Sequence, residues 1–245
     1  MTDLHTHILP GVDDGAKDLE TSLEILRRQK KSGVERVALT PHYYPLREEL
    51  QDFLGRRQHA YEQLLSAWEP ETMPQLRLGA EVHYSSCIAD MDLRSMALPH
   101  SDYLLLELSD TVVPAHIEQV VKIMLEQGIT PMLAHVERCV YFAEDPAKLV
   151  RLIDLGALAQ ITAWALSNKK SQKFAGACLQ KNVAQIIASD IHGLGDSRRG
   201  LGELTDNIHE DRMLRAEAFA RAVWDNTPLP EFCAISIKRK LFGYA

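Results

Sequence analysis

Near the start of the chain stands the stretch Asp3-Leu4-His5-Thr6-His7-Ile8-Leu9-Pro10-Gly11-Val12-Asp13-Asp14-Gly15. Residues 3–7 predict a β-strand that ends in two histidines, and residues 10–15 predict a turn. Because residues i and i+2 of a strand point to one side, His5 and His7 can reach a common metal ion. An isolated His-x-His pair is a weak signal, and Asp-Asp-Gly is typical of an ordinary turn. The stretch therefore has to be read together with the rest of the chain.

Beyond this stretch, short apolar runs alternate with segments of helical periodicity. Predicted strands cover residues 3–7, 34–40, 76–82, 102–107, 130–135, 158–162 and 183–189. Predicted helices cover residues 18–32, 47–69, 115–127, 146–155, 168–180 and 211–224. Seven strands that alternate with helices indicate a parallel sheet, and we predict an α/β fold of the distorted (β/α)7 TIM-like barrel type rather than an open doubly wound sheet. No Gly-rich or Pro-rich linker interrupts the chain, so residues 1–245 are expected to form one domain.

Composition narrows the class of protein. Of the 245 residues, 46% are apolar and 25% are charged, which is ordinary for a globular enzyme. The sequence contains no apolar run long enough to span a membrane and no signal-peptide pattern, so we expect a cytoplasmic protein that is not membrane-embedded. The formal net charge is −7 and no basic run is present, which disfavours nucleic-acid binding. The four cysteines are scattered and are expected to be reduced. The oligomeric state is not specified by the sequence.

Ligand-type side chains recur where the predicted strands end. After His5 and His7 of the first strand, these residues are His42, Glu81, Glu107, His135, Asp190 and His192. In a parallel barrel all these strand ends meet at one face, which is where such barrels carry their active sites. The recurrence therefore predicts a metal site at that face, with Asp14 of the turn as a further candidate ligand.

Some of these residues also have ordinary structural interpretations. Glu81 could be a solvent-facing strand residue, whereas Glu107 and His135 close buried apolar runs and so require partners. His83 is intermediate between a residue that supports the site and a surface residue. Three tyrosines, Tyr43, Tyr44 and Tyr141, could line the entrance for an aromatic substrate or could be amphipathic loop residues.

The residues quoted at the start resemble the opening motif of the PHP (polymerase and histidinol phosphatase) superfamily, and more narrowly that of its bacterial capsule-associated protein-tyrosine phosphatases. Further motifs follow in the same order: Thr40-Pro41-His42, Gly79-Ala80-Glu81, Leu106-Glu107, Ala134-His135-Val136-Glu137-Arg138 and Ala188-Ser189-Asp190-Ile191-His192. The resemblance covers nearly the whole chain and implies a PHP-type barrel.

The resemblance also implies a centre of three divalent metal ions, with Mn the first choice and Fe or Zn as alternatives. One ion would be bound by His5, His7, Glu81 and Asp190, and a second by Glu81, Glu107 and His135. The third would be bound by Asp14, His42 and His192. The mixed set of imidazoles and carboxylates suits such ions and lacks the thiolates of a structural zinc site.

Two arginines are expected to complete a phosphate site. Arg138 resembles the family's phosphate-contacting arginine, and its guanidinium can bind phosphate oxygens in a bidentate fork. The second would be Arg198 or Arg199, because this part of the sequence departs from the family pattern. We hypothesise in-line attack on phosphorus by a metal-bridging hydroxide, with His42 or metal coordination assisting the leaving group.

The favoured function is therefore dephosphorylation of phosphotyrosine on a protein. The resemblance suggests a membrane-associated bacterial tyrosine autokinase of the capsule or exopolysaccharide system as the substrate. The alternatives are a small-molecule phosphatase of the histidinol-phosphatase type and a weakly catalytic metal-binding regulatory module. The segment Cys233 to Arg239 has the C-x5-R spacing of cysteine-dependent tyrosine phosphatases, but it lacks glycine and is predicted to be helical, so we reject it as a catalytic loop.

Overall fold

A computed structural model of the chain describes residues 1–195, 200–203, 210–240 and 243–244. Its strands are β1 (Thr2–Thr6), β2 (Arg36–Leu39), β3 (His42–Tyr43), β4 (Gln75–Leu78), β5 (Glu81–His83), β6 (Tyr103–Glu107), β7 (Thr130–Leu133), β8 (Leu158–Thr162), β9 (Ile186–Ala188), β10 (Arg239–Lys240) and β11 (Gly243–Tyr244). Its α-helices are α1 (Leu19–Lys31), α2 (Leu50–Leu65), α3 (Ile117–Glu126), α4 (Val140–Glu144), α5 (Ala147–Leu155), α6 (Gln172–Gln180) and α7 (Glu210–Asp225). Strands and helices alternate as predicted and give an α/β fold with parallel sheets.

The helices begin and end where local sequence signals place them. The side chain of Asp18 caps α1 by accepting a hydrogen bond from the Thr21 amide at 2.8 Å. Gly33 follows α1 with φ +89°, a left-handed conformation that terminates the helix at low cost only for glycine. Among the described residues, no helix combines the length and the apolar character needed to cross a membrane.

All seven predicted strands are present. The second predicted strand, residues 34–40, is β2 and is followed after a break by the short strand β3, which was not predicted, whereas the third is divided into β4 and β5. Pro41 lies at the first break, where it has no amide hydrogen to donate to a neighbouring strand. Pairing nevertheless continues across the breaks, because the amide of Glu81 donates to the Pro41 carbonyl at 3.0 Å. As a result, His42 and Glu81 lie opposite each other in the register of β3 and β5.

The parallel strands are ordered β1-β2-β4 and β3-β5-β6-β7-β8-β9. Because β2 and β3, like β4 and β5, are parts of one interrupted strand, the two sheets are continuous with each other. At the other end β9 meets β1: the Asp190 amide donates to the His5 carbonyl and the His7 amide donates to the Ile191 carbonyl, both at 2.9 Å. The first and last parallel strands are therefore neighbours, and the carboxyl ends of the strands lie at one edge.

One cluster of buried apolar side chains takes a residue from each of six strands: Leu4, Ala38, Leu105, Met132, Leu158 and Ile186. Phe219 and Val223 of α7 belong to the same cluster. Helix α7 is held at the amino-terminal ends of the strands, where Glu217 accepts a hydrogen bond from the Thr2 amide at 2.8 Å and the Val223 carbonyl accepts one from Ser101 Oγ at 2.8 Å. This helix covers the end of the strands opposite the carboxyl ends, which leaves the latter open for a site.

The helix predicted for the segment 233–239 is wrong. Residues 231–238 have the backbone hydrogen-bonding pattern of neither a helix nor a strand. The Ile235 amide donates to the Lys181 carbonyl at 2.7 Å, so its hydrogen bond is made to the turn after α6 and not within a helix. The segment leads into β10, which pairs antiparallel with β11. Tertiary hydrogen bonding thus outweighs the local helical tendency on which the prediction relied.

Candidate metal centre

The turn after β1 folds back onto His7. The Ala16 amide donates to the His7 carbonyl at 2.9 Å, and Gly11 takes a left-handed conformation with φ +67°. A Cβ atom on Gly15 would lie 2.0 Å from the His7 carbonyl oxygen, so only glycine permits this approach. The turn brings Asp13 Oδ2 to 2.7 Å from His7 Nδ1. The turn formed by Pro-Gly-Val-Asp-Asp-Gly therefore orients the His7 imidazole.

Asp13 is an ionised carboxylate. It accepts hydrogen bonds from the His7 ring and from the amides of Gly15 and His42, the last two at 3.0 Å. Burial by itself raises the pKa of Asp13, but the hydrogen bond and charge of His7 outweigh burial and lower the pKa to about 2. Since a carboxylate can only accept, His7 donates from Nδ1. Its Nε2 atom consequently presents a lone pair on the other side of the ring.

Gln160 of β8 fixes His5 in the same way. The amide of His135 donates to Gln160 Oε1 at 2.8 Å, which identifies that atom as the acceptor end of the side chain. His5 Nδ1 lies 3.2 Å from the same oxygen and must be the donor. His5 Nε2 therefore also carries a lone pair, and both imidazoles have the tautomer that a metal ligand requires.

These lone pairs converge on one point. The Nε2 atoms of His5 and His7 are 3.0 Å apart, although in the neutral tautomers just described neither can donate to the other. Glu81 Oε2 lies 3.2 Å from each of them, and Asp190 Oδ1 lies at 3.3 and 3.4 Å. A tetrahedral ion with ligand bonds of about 2.1 Å separates its ligands by roughly 3.4 Å. The separations of Glu81 and Asp190 from the two imidazoles are close to this value, and His5, His7 and Glu81 form a group that could hold a metal ion.

The electrostatics of the cluster favour a positive charge at the same point. Burial by itself lowers the pKa of His7, yet its contacts with Asp13, Asp190 and Glu81 raise the pKa well above its ordinary value, so without a metal ion the carboxylates favour a proton on Nε2 at the place where the ion would bind. Burial raises the pKa of Glu81, but the charge of His5 and hydrogen bonds from the surrounding imidazoles hold it well below its ordinary value. Glu81 Oε2 lies 3.0 Å from His42 Nδ1 as well, yet among the described residues it accepts no properly aligned hydrogen bond. A buried carboxylate oxygen ringed by three imidazole nitrogens is suited to bind a cation.

Within the described part of the chain, three groups of side chains approach closely enough to hold a metal ion, each with ligand atoms within 4.8 Å of one another. They are His5, His7 and Glu81; His7, Asp14, His42 and His192; and His42, Glu81 and Glu107. His135 joins the third group, with its Nε2 atom 2.9 Å from Glu81 and 3.9 Å from Glu107. All nine positions predicted from the sequence as metal ligands thus lie together at the carboxyl edge. Glu81 is completely buried, which excludes its interpretation as a solvent-facing residue.

The three tyrosines that were considered as lining of the entrance lie in different surroundings. Tyr43 is buried against Phe53 and Tyr141 is also buried, so neither lines the entrance. Tyr44 does lie at the cluster, with its ring centroid 5.4 Å from that of His42. Burial, aided by the nearby carboxylates, raises the pKa of Tyr44 to about 12, so the phenol remains neutral. His83 supports the site, because its Nδ1 atom lies 2.8 Å from Glu107 Oε2.

Arg138 reaches the cluster from the short 3-10 turn that follows β7. Its guanidinium hydrogen-bonds Asp190 Oδ2, and about a third of the side chain is exposed. Burial lowers the pKa of Arg138, but the charges of Asp190 and Glu137 outweigh this and raise it, so the side chain is a permanent cation. Arg198 and Arg199, the two candidates for a second phosphate-binding arginine, lie outside the described residues.

Two residues of this site were missed by the sequence reasoning. Asp13 was interpreted only as part of a turn, although its position directly beside Asp14 in a loop following the first histidines is a usable signal. Gln160 received no role, although a glutamine in the middle of the apolar strand 158–162 signals a buried polar group that needs partners. Both act on the imidazoles and not on the reacting atoms.

We expect Asp13→Asn to weaken metal binding by roughly 10- to 100-fold. The asparagine amide has no negative charge to hold the His7 proton on Nδ1, so His7 loses its fixed tautomer and part of its basicity. The metal affinity is measured by titrating metal into protein that has been stripped with a chelator. Asp18→Asn, at an exposed helix cap, is the matched control. Equal metal affinity in the Asp13 variant and the wild type would show that Asp13 does not support His7.

The cysteine of the rejected C-x5-R segment lies in chain of irregular structure. Cys233 is exposed, and Arg239 belongs to the antiparallel pair of β10 and β11 rather than to a loop that encircles an anion. We expect Cys233→Ser to keep wild-type kcat/KM, measured by phosphate release. A loss of turnover in this variant, with the metal content retained, would restore the cysteine mechanism.

Comparison with known proteins places these features in context. The family model for capsular polysaccharide synthesis, CpsB/CapC, matches residues 1–226. The tyrosine-protein phosphatase YwqE of Bacillus subtilis (strain 168) is 31% identical over 200 residues, which cover 79% of this chain and 78% of that protein.

Two solved structures share the fold. A crystal structure from a study of YwqE from Bacillus subtilis and CpsB from Streptococcus pneumoniae, described as unique metal-dependent tyrosine phosphatases, superimposes with a TM-score of 0.84 at 24% identity over 98% of this chain and 100% of that chain. The histidinol phosphate phosphatase of Lactococcus lactis, solved with zinc, L-histidinol and phosphate, gives a TM-score of 0.53 at 11% identity over 96% and 97% of the two chains.

Proposed function

Because the chain belongs to the CpsB/CapC family of capsular polysaccharide synthesis, we propose that it is a metal-dependent protein-tyrosine phosphatase of a capsule or exopolysaccharide system. The observation that carries the proposal is the convergence of His5, His7, Glu81 and Asp190 on one point with their lone pairs facing each other. Its relative YwqE is named a tyrosine-protein phosphatase. Residues 1–245 form one domain, in which the hydrogen bonds between β9 and β1 and the shared interior cluster support closure into a distorted (β/α)7 barrel.

The nine clustered residues would hold three divalent ions, with Mn²⁺ the first choice. When bound, such ions lower the pKa of a water ligand and stabilise charge on phosphoryl oxygens. The four carboxylates proposed as ligands, Asp14, Glu81, Glu107 and Asp190, offset much of the charge of three divalent ions and leave a centre of about +2. An acidic protein would thus present a locally positive site to a phosphate.

The chain's own residues would bind and orient the substrate. The Arg138 guanidinium, held at the cluster by Asp190, is placed to bind phosphoryl oxygens and align the phosphorus for in-line displacement. Arg198 would add a second contact. The tyrosine that leaves has a pKa of about 10, so it needs less assistance from an acid such as His42 than an alkyl alcohol would.

The surface around the cluster favours a protein substrate over a small molecule. Eight large apolar side chains are exposed in the described part of the chain, and five of them follow candidate site residues closely in the sequence, four on loops and one at the start of α4. These are Leu46, Val112, Val113, Val140 and Leu194. The loop carrying Val112 is joined to Val140 through the Val140 amide, which donates to the Asp110 carbonyl at 2.8 Å. Apolar residues beside an ionic centre would contact the residues flanking a phosphotyrosine, which histidinol phosphate lacks. The proposed substrate is a cytoplasmic segment of a membrane-associated tyrosine autokinase.

We expect the double change Val112→Ser and Val113→Ser to lower kcat/KM for a phosphotyrosine peptide by roughly three- to tenfold, because apolar contact area is lost. The kcat/KM for p-nitrophenyl phosphate, which has no flanking residues, should stay the same. Leu214→Ser, at an exposed position of α7, is the matched control and should affect neither substrate. An equal loss for both substrates would contradict a peptide-contacting role.

Turnover of two substrates tests the proposed function. Phosphate release is measured from a phosphotyrosine peptide and from histidinol phosphate, with Mn²⁺ added. The proposal requires a higher kcat/KM for the peptide. Preference for histidinol phosphate would make the protein a small-molecule phosphatase, and no turnover of either by metal-loaded protein would favour the regulatory module.

A further inference from the structure

The loop after β3 carries an aromatic ring to the edge of the candidate metal centre. In the sequence Tyr44-Pro45-Leu46-Arg47, the Arg47 amide donates to the Tyr44 carbonyl at 2.9 Å and closes a turn. Proline is favoured at the second position of such a turn because its φ angle is already fixed near the required value. The turn places the Arg47 guanidinium 4.6 Å from the centroid of the Tyr44 ring. This distance lies within the range of a cation–π contact, so Arg47 holds Tyr44 in place.

Tyr44 sits beside two histidines of the site. Its ring centroid lies 5.4 Å from that of His42 and 5.3 Å from that of His83, at angles of 31° and 42° between the ring planes. His42 is a proposed metal ligand, and His83 hydrogen-bonds the proposed ligand Glu107. The Tyr44 side chain is only partly buried, so part of the ring remains exposed next to the point where a phosphoryl group would bind.

We propose that Tyr44, supported by Arg47, is a specificity-determining residue that packs against the phenyl ring of phosphotyrosine. This inference rests on the proposed function. It assigns to the Tyr44 ring the role of distinguishing an aryl phosphate from an alkyl phosphate. A phosphoryl group bound at the cluster places the first ring of the substrate immediately outside it, where Tyr44 is the aromatic neighbour. Paired aromatic rings contact each other at centroid separations of about 4.5–7 Å. The metal ligands and Arg138 bind the phosphoryl group alone, so they cannot make this distinction.

Competitive inhibition by two ligands tests this role. Inorganic phosphate contains only the group bound by the centre, whereas phenylphosphonate adds a ring. For Tyr44→Ala we expect the inhibition constant of phenylphosphonate to rise by about three- to tenfold, the value of one aromatic pair, and that of phosphate to stay unchanged. Tyr44→Phe should behave as the wild type, since the ring and not the hydroxyl is used. Arg47→Ala should give a smaller rise for phenylphosphonate only.

Controls separate this inference from the proposed function. Tyr61→Ala removes the same side chain from a partly buried position on α2 and should change neither constant. Metal content is measured in every variant, and Tyr44→Leu replaces Tyr44→Ala if the latter fails to retain metal. Equal weakening of both ligands, or no weakening of either, overturns the role of Tyr44. Failure of the wild type to hydrolyse the phosphotyrosine peptide would instead overturn the proposed function.

Discussion

Replacing Glu81 with glutamine is expected to lower phosphatase kcat/KM by about a thousandfold or more, because the several kcal/mol supplied by metal ions at the transition state are lost. Glu81 lies close to four other candidate ligands: its Oε2 atom is 3.0–3.2 Å from His5, His7 and His42, and its Oε1 atom is 2.9 Å from His135. It is therefore proposed to bridge two ions, and removal of its charge should weaken both.

Glutamine keeps the shape of Glu81, so the fold should survive the change. Its amide group can donate hydrogen bonds to the imidazole lone pairs that would otherwise bind metal. These hydrogen bonds would stabilise the cluster without a metal ion. We expect the variant to keep its circular dichroism spectrum and to lose bound metal, measured by elemental analysis after dialysis. Glu126→Gln, at an exposed position of α3, is the control and should retain both metal and turnover. A Glu81→Gln protein with full metal content and full activity would contradict the proposed ligand set.

Arg138→Ala is expected to lower kcat/KM for the phosphotyrosine peptide by roughly 100- to 1000-fold, the usual cost of removing one donor to a charged transition state. The side chain is partly exposed beside the cluster and is anchored by Asp190, so its position is set before substrate arrives. Arg138→Lys keeps the charge but loses the planar fork, and we expect it to recover only part of the loss.

The contact between Arg138 and Asp190 requires a control, because the change could disturb a proposed metal ligand. Metal content should stay at the wild-type level in Arg138→Ala, while inhibition by inorganic phosphate becomes weaker. Arg151→Ala, at an exposed arginine of α5 paired with Glu118, should change neither property. Loss of metal in parallel with loss of activity would assign Arg138 a structural role instead of a phosphate-binding one.

Much of the fold and of the candidate site could be predicted from the sequence, because the features involved are periodic or local. Alternation of strands and helices follows from apolar periodicity, and the carboxyl ends of parallel strands meet by geometry. His5, His7, Glu107 and Asp190 could therefore be expected at one edge without knowledge of their contacts. The breaks at Pro41 and Gly79 were not anticipated, yet they preserved the register that sets His42 opposite Glu81.

The remaining features depend on contacts that a sequence does not specify. Which nitrogen of His5 faces the cluster is fixed by Gln160, which is 155 residues away along the chain. Tyr43 and Tyr44 are adjacent and chemically identical, but their opposite directions on β3 and the following turn bury one and leave the other at the site. The segment 233–239 was predicted to be helical because its partner, the turn after α6, could not be identified from local pattern.

Converging lone pairs at the carboxyl edge are proposed to bind divalent ions on which hydrolysis depends. The most direct test measures metal content and phosphotyrosine-peptide turnover on the same protein, first stripped with a chelator and then titrated with Mn²⁺. We predict no turnover in the stripped protein and full recovery that saturates when three ions are bound per chain. Full turnover in protein shown to contain no metal would contradict the account.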